Sequence, residues 1–173
     1  MSRQRVLFLC GLIVFATTAS ANPDVDQRKR LAGSPSATEA QLMQYADDPE
    51  WEVRQYLARN RKSPAVLLDK LAHDPHPQVR IAVATNLSTT EGIFMVLAND
   101  ADVQVRSVVA RFEYVPASVL AVLAGDSATD IRIEVARNLN TDRATLSRLT
   151  RDDQPEVAAS ANIGLQRLGA DQD

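Results

Sequence analysis

Cysteine occurs once in these 173 residues, at Cys10, and histidine only twice, at His73 and His76. Beyond residue 21 there is no cysteine. That part of the chain can form no disulfide, supply no thiol nucleophile and hold no iron–sulfur cluster through thiolates. Aromatic residues make up only 5%, with a single tryptophan, Trp51. Cores built without large rings rely on closely packed aliphatic side chains, and the abundant alanine and leucine suit short helices. A basic excess is also missing, since Lys and Arg number 19 against 22 Asp and Glu. This balance speaks against nucleic acid or an anionic membrane as the main partner.

The beginning of the chain differs from the rest. Arg3 and Arg5 precede an uncharged, mostly apolar stretch over residues 6–16, and Ala19-Ser20-Ala21 forms a small-residue site. The pattern predicts a secretory signal peptide over residues 1–21, with a retained anchor as the alternative; the apolar stretch falls short of the ~20 residues a spanning helix needs. Cys10 would leave with it. Cleavage would remove two arginines and no acid, taking the net charge from −3 to −5. Residues 22–37 then read as a leader. It contains Arg28-Lys29-Arg30, expected to be solvated, and Gly33-Ser34-Pro35-Ser36, expected to be a linker or turn.

What the remainder has in abundance is repetition. A branched aliphatic returns every 26 positions as Val53, Val79, Val105, Ile131 and Val157. Arginine follows it at Arg54, Arg80, Arg106 and Arg132, and Ala158 breaks the row. Five frames cover residues 38–167, leaving residues 168–173 as a tail, and each frame carries two helical patterns. Leu42, Leu68, Phe94, Leu120 and Leu146 mark the first helix, with apolar partners three and four positions later. Ser63, Thr89 and Thr141 are its expected N-caps, with Pro64 and Pro116 as first helical residues. Aspartate marks the turn at Asp48, Asp74, Asp100, Asp126 and Asp152. Asn60, Asn86 and Asn138 end the second helix, where asparagine can adopt the left-handed conformation. A strict period of this length signals a stacked repeat protein, in which short helices gain stability only from their neighbours.

The string Asp74-Pro75-x-x-x-Val79-Arg80-x-x-x-Ala84-x-Asn86 resembles the repeats of the leucine-rich repeat variant family and is similar to short HEAT-like repeats. The resemblance covers residues 38–167. It implies an all-α fold: a right-handed α-solenoid of five 26-residue, two-helix repeats that serves as an interaction surface. Some proteins with such repeats carry an N-terminal iron–sulfur module with clustered cysteines, which this chain lacks.

Two sets of polar residues compete as functional candidates. The recurring set is Asp48, Asp74, Asp100 and Asp126 with Arg54, Arg80, Arg106 and Arg132. It reads as a structural ladder tying repeat to repeat, rather than as a stripe that grips an anion. The second set lies on one side of the second helix, where the repeats disagree. It comprises Glu52, Gln55, Tyr56 and Arg59; Gln78, Ile81 and Thr85; Gln104, Ser107, Val108 and Arg111; and Asp130, Ile133, Glu134 and Arg137. Residues free of the repeat are free to suit a partner, and Ile81, Val108, Ile133 and Ile163 would form an exposed apolar row.

Other candidates are thinner. His73 and His76 are three apart but lack a third metal ligand. Trp51 and Tyr56 cover the end of the core or stack on a ligand. Phe112 and Tyr114 interrupt the asparagine row, as a local repacking or an aromatic spot. No catalytic constellation, cofactor motif or metal set stands out. The expectation is a secreted, periplasmic, non-enzymatic scaffold that binds protein. The rival is a lyase-like or other enzyme accessory holding a small ligand in the concave groove.

Overall fold

The structure, a computed structural model, describes residues 24–170, apart from the side chain of Ala170. The expected signal peptide and the last three residues of the tail lie outside this range. Among the described residues all regular structure is helical. In chain order come α1 (Val25–Ala32), α2 (Glu39–Met43), α3 (Trp51–Arg59), α4 (Ala65–Leu71), α5 (Pro77–Ala84), α6 (Glu91–Ala98), α7 (Val103–Arg111), α8 (Ala117–Leu123), α9 (Thr129–Arg137), α10 (Arg143–Leu149) and α11 (Pro155–Ala170). The fold is an α-solenoid of repeats. Helices α3, α5, α7, α9 and α11 form one layer, packing side by side in chain order, and α2, α4, α6, α8 and α10 form the other.

The elements follow from local chemistry. Pro77 and Pro155 open α5 and α11 where no amide donor is needed. Thr38 closes a capping box with Gln41 at α2, and Asp102 and Asp142 accept from Gln104 N and Thr145 N at α7 and α10. Most of these helices have seven to nine residues, too few to persist alone in water. Their stability comes from a continuous core between the layers. Val53, Val79, Val105, Ile131 and Val157 are buried there with Leu57, Val83, Val109, Val135 and Ala161 from the same helices. Leu42, Leu68, Phe94, Leu120 and Leu146 meet them from the other layer.

Several expectations need correction. The leader is not a linker: α1 packs on α3 as a half-repeat preceding the five frames. Its Arg28 and Ala32 stand 26 positions before Arg54 and Ala58, and both are buried. Thus the basic triplet is not simply solvated; Arg28 reaches Asp48 at 2.7 Å. At the other end α11 runs through residues 168–170, part of the expected tail.

Ser63, Thr89 and Thr141 do not cap the helix that follows. Their hydroxyls donate backward to Leu57 O, Val83 O and Val135 O, closing the preceding loop. Pro64 and Pro116 stand at the N-cap rather than inside the first turn. Among the described residues no non-glycine has positive φ, so the asparagines do not close helices through the left-handed region. Asn60 and Asn138 are extended, at φ −73° and −65°.

Candidate functional site

The two edges of the stack are built by different side chains. At the turn edge, between first and second helix, runs an Arg–Asp ladder. Arg54 Nε and Nη2 lie 2.6 and 3.0 Å from Asp74 Oδ2 and Oδ1, twenty residues on and one repeat away. Arg80 meets Asp100 at 2.6 and 2.9 Å, Arg106 meets Asp126 at 2.7 and 3.1 Å, and Arg132 meets Asp152 at 2.7 and 3.0 Å. Arg28 and Asp48 add a first rung. The remaining guanidinium nitrogen of Arg54, Arg80, Arg106 and Arg132 donates to the carbonyl of the aspartate six residues back. Each aspartate also accepts from the amide two residues on, which shapes the turn before the next helix.

This bidentate geometry matches the planar guanidinium fork to a carboxylate. Burial pushes the Asp100 and Asp126 carboxyls up. The Arg80 and Arg106 hydrogen bonds, the Asp102 and Ala128 amides and nearby arginine charge outweigh it and hold both below the usual carboxylate range. At Asp152 the Arg132 hydrogen bond leads and likewise depresses it. Open clefts lie between successive turns. One of about 550 Å³ is lined by Asp47, Arg54, Lys70, His73 and Asp74, and another of about 440 Å³ by Asp100, Arg106 and Asp126. All three nitrogens of their ladder arginines are already engaged, by the carboxylate of the next repeat and by backbone carbonyls of their own turn.

The opposite edge, after each second helix, carries an asparagine ladder. Asn60 Nδ2 donates to Ala32 O and Ser34 O, Asn86 Nδ2 to Ala58 O and Asn60 O, and Asn138 Nδ2 to Ala110 O and Phe112 O. Their Oδ1 atoms accept from the amides of Lys62, Ser88 and Asn140. The side chain, not a special backbone, is what the repeat requires here. The row is broken at Phe112, which joins buried Phe94 (5.9 Å between centroids) to exposed Tyr114 (5.6 Å). At the end Gly164 stands in the asparagine position. A Cβ there would come within 2.9 Å of Ala136 O and the Leu146 side chain. Arg167, one turn later, donates to Arg137 O and Asn138 O instead, both at 3.3 Å.

The candidate face is the outer surface of the second-helix layer. Glu52, Gln78, Gln104 and Asp130 line the N-terminal border of this layer, and Arg59, Thr85, Arg111 and Arg137 the C-terminal border. All are exposed except Glu52, which is half-buried. Tyr56 is exposed between the borders, packed over Gly33; Ser107 and Glu134 are half-buried. Gln55 is buried, with Nε2 donating to Gln78 O at 3.4 Å. The expected exposed apolar row is not one: Ile81, Val108 and Ile133 are half-buried and pack against the core. At this helical position the side chain leans into the gap between neighbouring helices, so these aliphatics seal the layer. Of the four, Ile163 alone is open, on the last described helix.

The thinner candidates resolve into packing. His76 stacks on Trp51 at 4.0 Å, and its Nδ1 accepts from Gln78 N, while His73 Nδ1 contacts Asp69 O. Among the described residues no three His, Cys, Asp or Glu side chains gather as a metal set. No described helix is long and apolar enough to cross a membrane.

Sequence reasoning missed the first rung because Gln27 replaces the aliphatic residue before Arg28. The 26-residue step back from Arg54 and Ala58 was the available signal. It also missed that Arg61, Lys62, Leu87 and Leu139 stand exposed on the loop edge, since no helical period flags loop residues.

No family model and no curated protein matches the chain. A solved structure described as a leucine-rich repeat variant with a novel repetitive protein structural motif is similar to it at TM-score 0.66 and 24% identity, over 83% of this chain and 57% of that one. The chain therefore spans little more than half the length of that protein. What the two share is the fold: the chain folds as a leucine-rich-repeat-variant α-solenoid.

Proposed function

We propose that this protein is a secreted, periplasmic, non-enzymatic scaffold whose second-helix face binds another protein. One observation carries the reading. Most residues that recur every 26 positions are consumed by core or ladders, while residues that differ between repeats collect on one surface. Stacked repeats commonly bind through such a surface. Secretion rests on the basic, apolar and small-residue pattern over residues 1–21. The non-enzymatic part of the reading rests on the sequence, which offers two histidines and, beyond residue 21, no cysteine.

The test uses the mature chain as bait against an envelope extract. Gln78→Lys/Gln104→Lys/Asp130→Lys should lose the captured partner. Asp69→Lys/Ser147→Lys, on the first-helix layer, should retain it. If the second pair abolishes capture and the first set does not, the face is misassigned. N-terminal sequencing of the exported protein should begin near Asn22; an intact Met1 would contradict cleavage.

A further inference from the structure

The loop edge carries charges that nothing in the described fold answers. Arg59, Arg61 and Lys62 follow one another along the first loop, and Arg111 and Arg137 end α7 and α9. All five are exposed, and none makes an ion pair among the described residues. Every ladder arginine of the turn edge, by contrast, grips a carboxylate. The acids of the loop edge do not balance these cations. Glu91 accepts from Ser118, Asp142 caps α10, and Glu113 alone stands among the loop cations.

Large apolar side chains stand between the cations. Leu87 is 52% exposed, Tyr114 60% and Leu139 71%, one on each of three successive loops. Three such side chains on one edge, flanked by unpaired cations, form a mixed stripe rather than scattered surface hydrophobes. The same edge is where the asparagine ladder gives way to Phe112, whose ring supports Tyr114 from beneath.

Building on the scaffold reading, we propose that this edge binds an extended acidic segment of a partner protein, with carboxylates on Arg59, Arg61, Lys62, Arg111 and Arg137 and apolar side chains on Leu87, Tyr114 and Leu139. The charge fixes the sign of the partner. The spacing fixes its form: adjacent packed helices lie about 8–10 Å apart, which is about one turn of an extended polyproline II segment, where every third side chain returns to the same face. A segment offering one acid and one apolar residue in every three would set acids against the cations of the first, third and fourth loops and apolar side chains against Leu87, Tyr114 and Leu139 on the second, third and fourth, and about a dozen residues would cross the stripe. Added salt should weaken the complex, because the cations are exposed.

The probes are fluorescein-labelled peptides of about twelve residues: four copies of Glu-Leu-Ser, of Lys-Leu-Ser, or of Glu-Ser-Ser. Fluorescence anisotropy with the mature protein should show saturable binding of the first only. Arg59→Glu/Arg111→Glu/Arg137→Glu should weaken it more than about tenfold, a loss of about three exposed charge contacts. Tyr114→Ser/Leu139→Ser should weaken it several-fold. These residues are exposed, and an unchanged circular-dichroism melt verifies the fold of each variant. No binding of the Glu-Leu-Ser peptide, equal binding of the lysine peptide, or an unaffected triple variant overturns the proposal. So does binding of phosphatidylglycerol vesicles through the same residues without the peptide. If the peptide fails while an extract partner still depends on Gln78, Gln104 and Asp130, only this proposal falls. If capture survives those three changes, the face reading falls instead.

Discussion

The turn edge and the loop edge solve one problem, joining a repeat to the next, in different ways. The turn edge uses an ion pair with two parallel hydrogen bonds and repeats it without interruption from Arg28–Asp48 to Arg132–Asp152. The loop edge uses a neutral amide, drops it at Phe112 and replaces it with Arg167 at the end. A buried charge cannot be left without its partner, so an ionic rung tolerates no missing member. A missing amide costs less, because what it leaves unsatisfied is uncharged carbonyls and an N–H rather than a buried charge. The edge with the lower penalty is the one that has diverged, and unpaired cations and exposed apolar residues have gathered there.

Arg80→Ala should therefore be the most damaging change at either edge. It strands Asp100, whose side chain is 7% exposed, beside Arg106 and without its fork. We expect a loss of about 3 kcal/mol in urea unfolding. Because the stack is held by nearest-neighbour contacts, the melt should broaden or split. A double-mutant cycle with Asp100→Ala should show strong coupling; independent effects would mean that the rung contributes little.

Acid should attack the same edge more gradually. The carboxyls of Asp100, Asp126 and Asp152 are held below their unfolded value. Their contribution is complete above the unfolded pKa, about 4, and is lost as pH falls through the folded one. The melting midpoint should stay level from neutral pH to about 5 and drop below about 4. Arg106→Ala should lower the midpoint at neutral pH and flatten the acid limb. A variant that keeps the full acid limb would place its cause elsewhere.

On the loop edge Asn86→Ala should cost about 1–3 kcal/mol, since two carbonyls and the Ser88 amide lose a partner in a buried site. Phe112 sharpens the point. Phe112→Ala should cost roughly 2 kcal/mol by opening a half-buried site. Phe112→Asn should cost less, because the amide can reach Ala84 O and Asn86 O, the equivalents of the Asn138 acceptors. Equal losses for the two variants would show that the third loop has repacked beyond reach of the ladder.

Much of this was legible in the sequence, for a physical reason. A side chain packed between identical neighbours must recur at the repeat length, so period alone finds core and rungs. Val79, Arg80, Asp100 and Ala84 could be placed that way, and so could the two-layer solenoid. What period cannot convey is direction. Asn86 recurs whether it closes its own helix or clamps the helix before it, and only geometry separates the two. Ile81 and Val108 show the same limit: they differ between repeats yet lie half-buried against the core, so variation between repeats does not by itself mark an exposed residue. Arg28 stayed hidden because α1 keeps the rung and loses the aliphatic residue beside it.

Changes to the outermost residues of the loop edge should barely register in stability. Leu139→Ser removes a side chain that is 71% exposed and touches little, so the expected shift is within about 0.5 kcal/mol. Leu87→Ser, at 52% exposure, should behave alike. The pair discriminates between two reasons for an exposed leucine. If these residues seal the core at the loop, both substitutions lower the midpoint together with that of Asn86→Ala. If they belong to a contact surface, the melts coincide with wild type while partner binding falls. A stability loss above about 1 kcal/mol at Leu139 would make that loop edge scaffold, like the turn edge opposite.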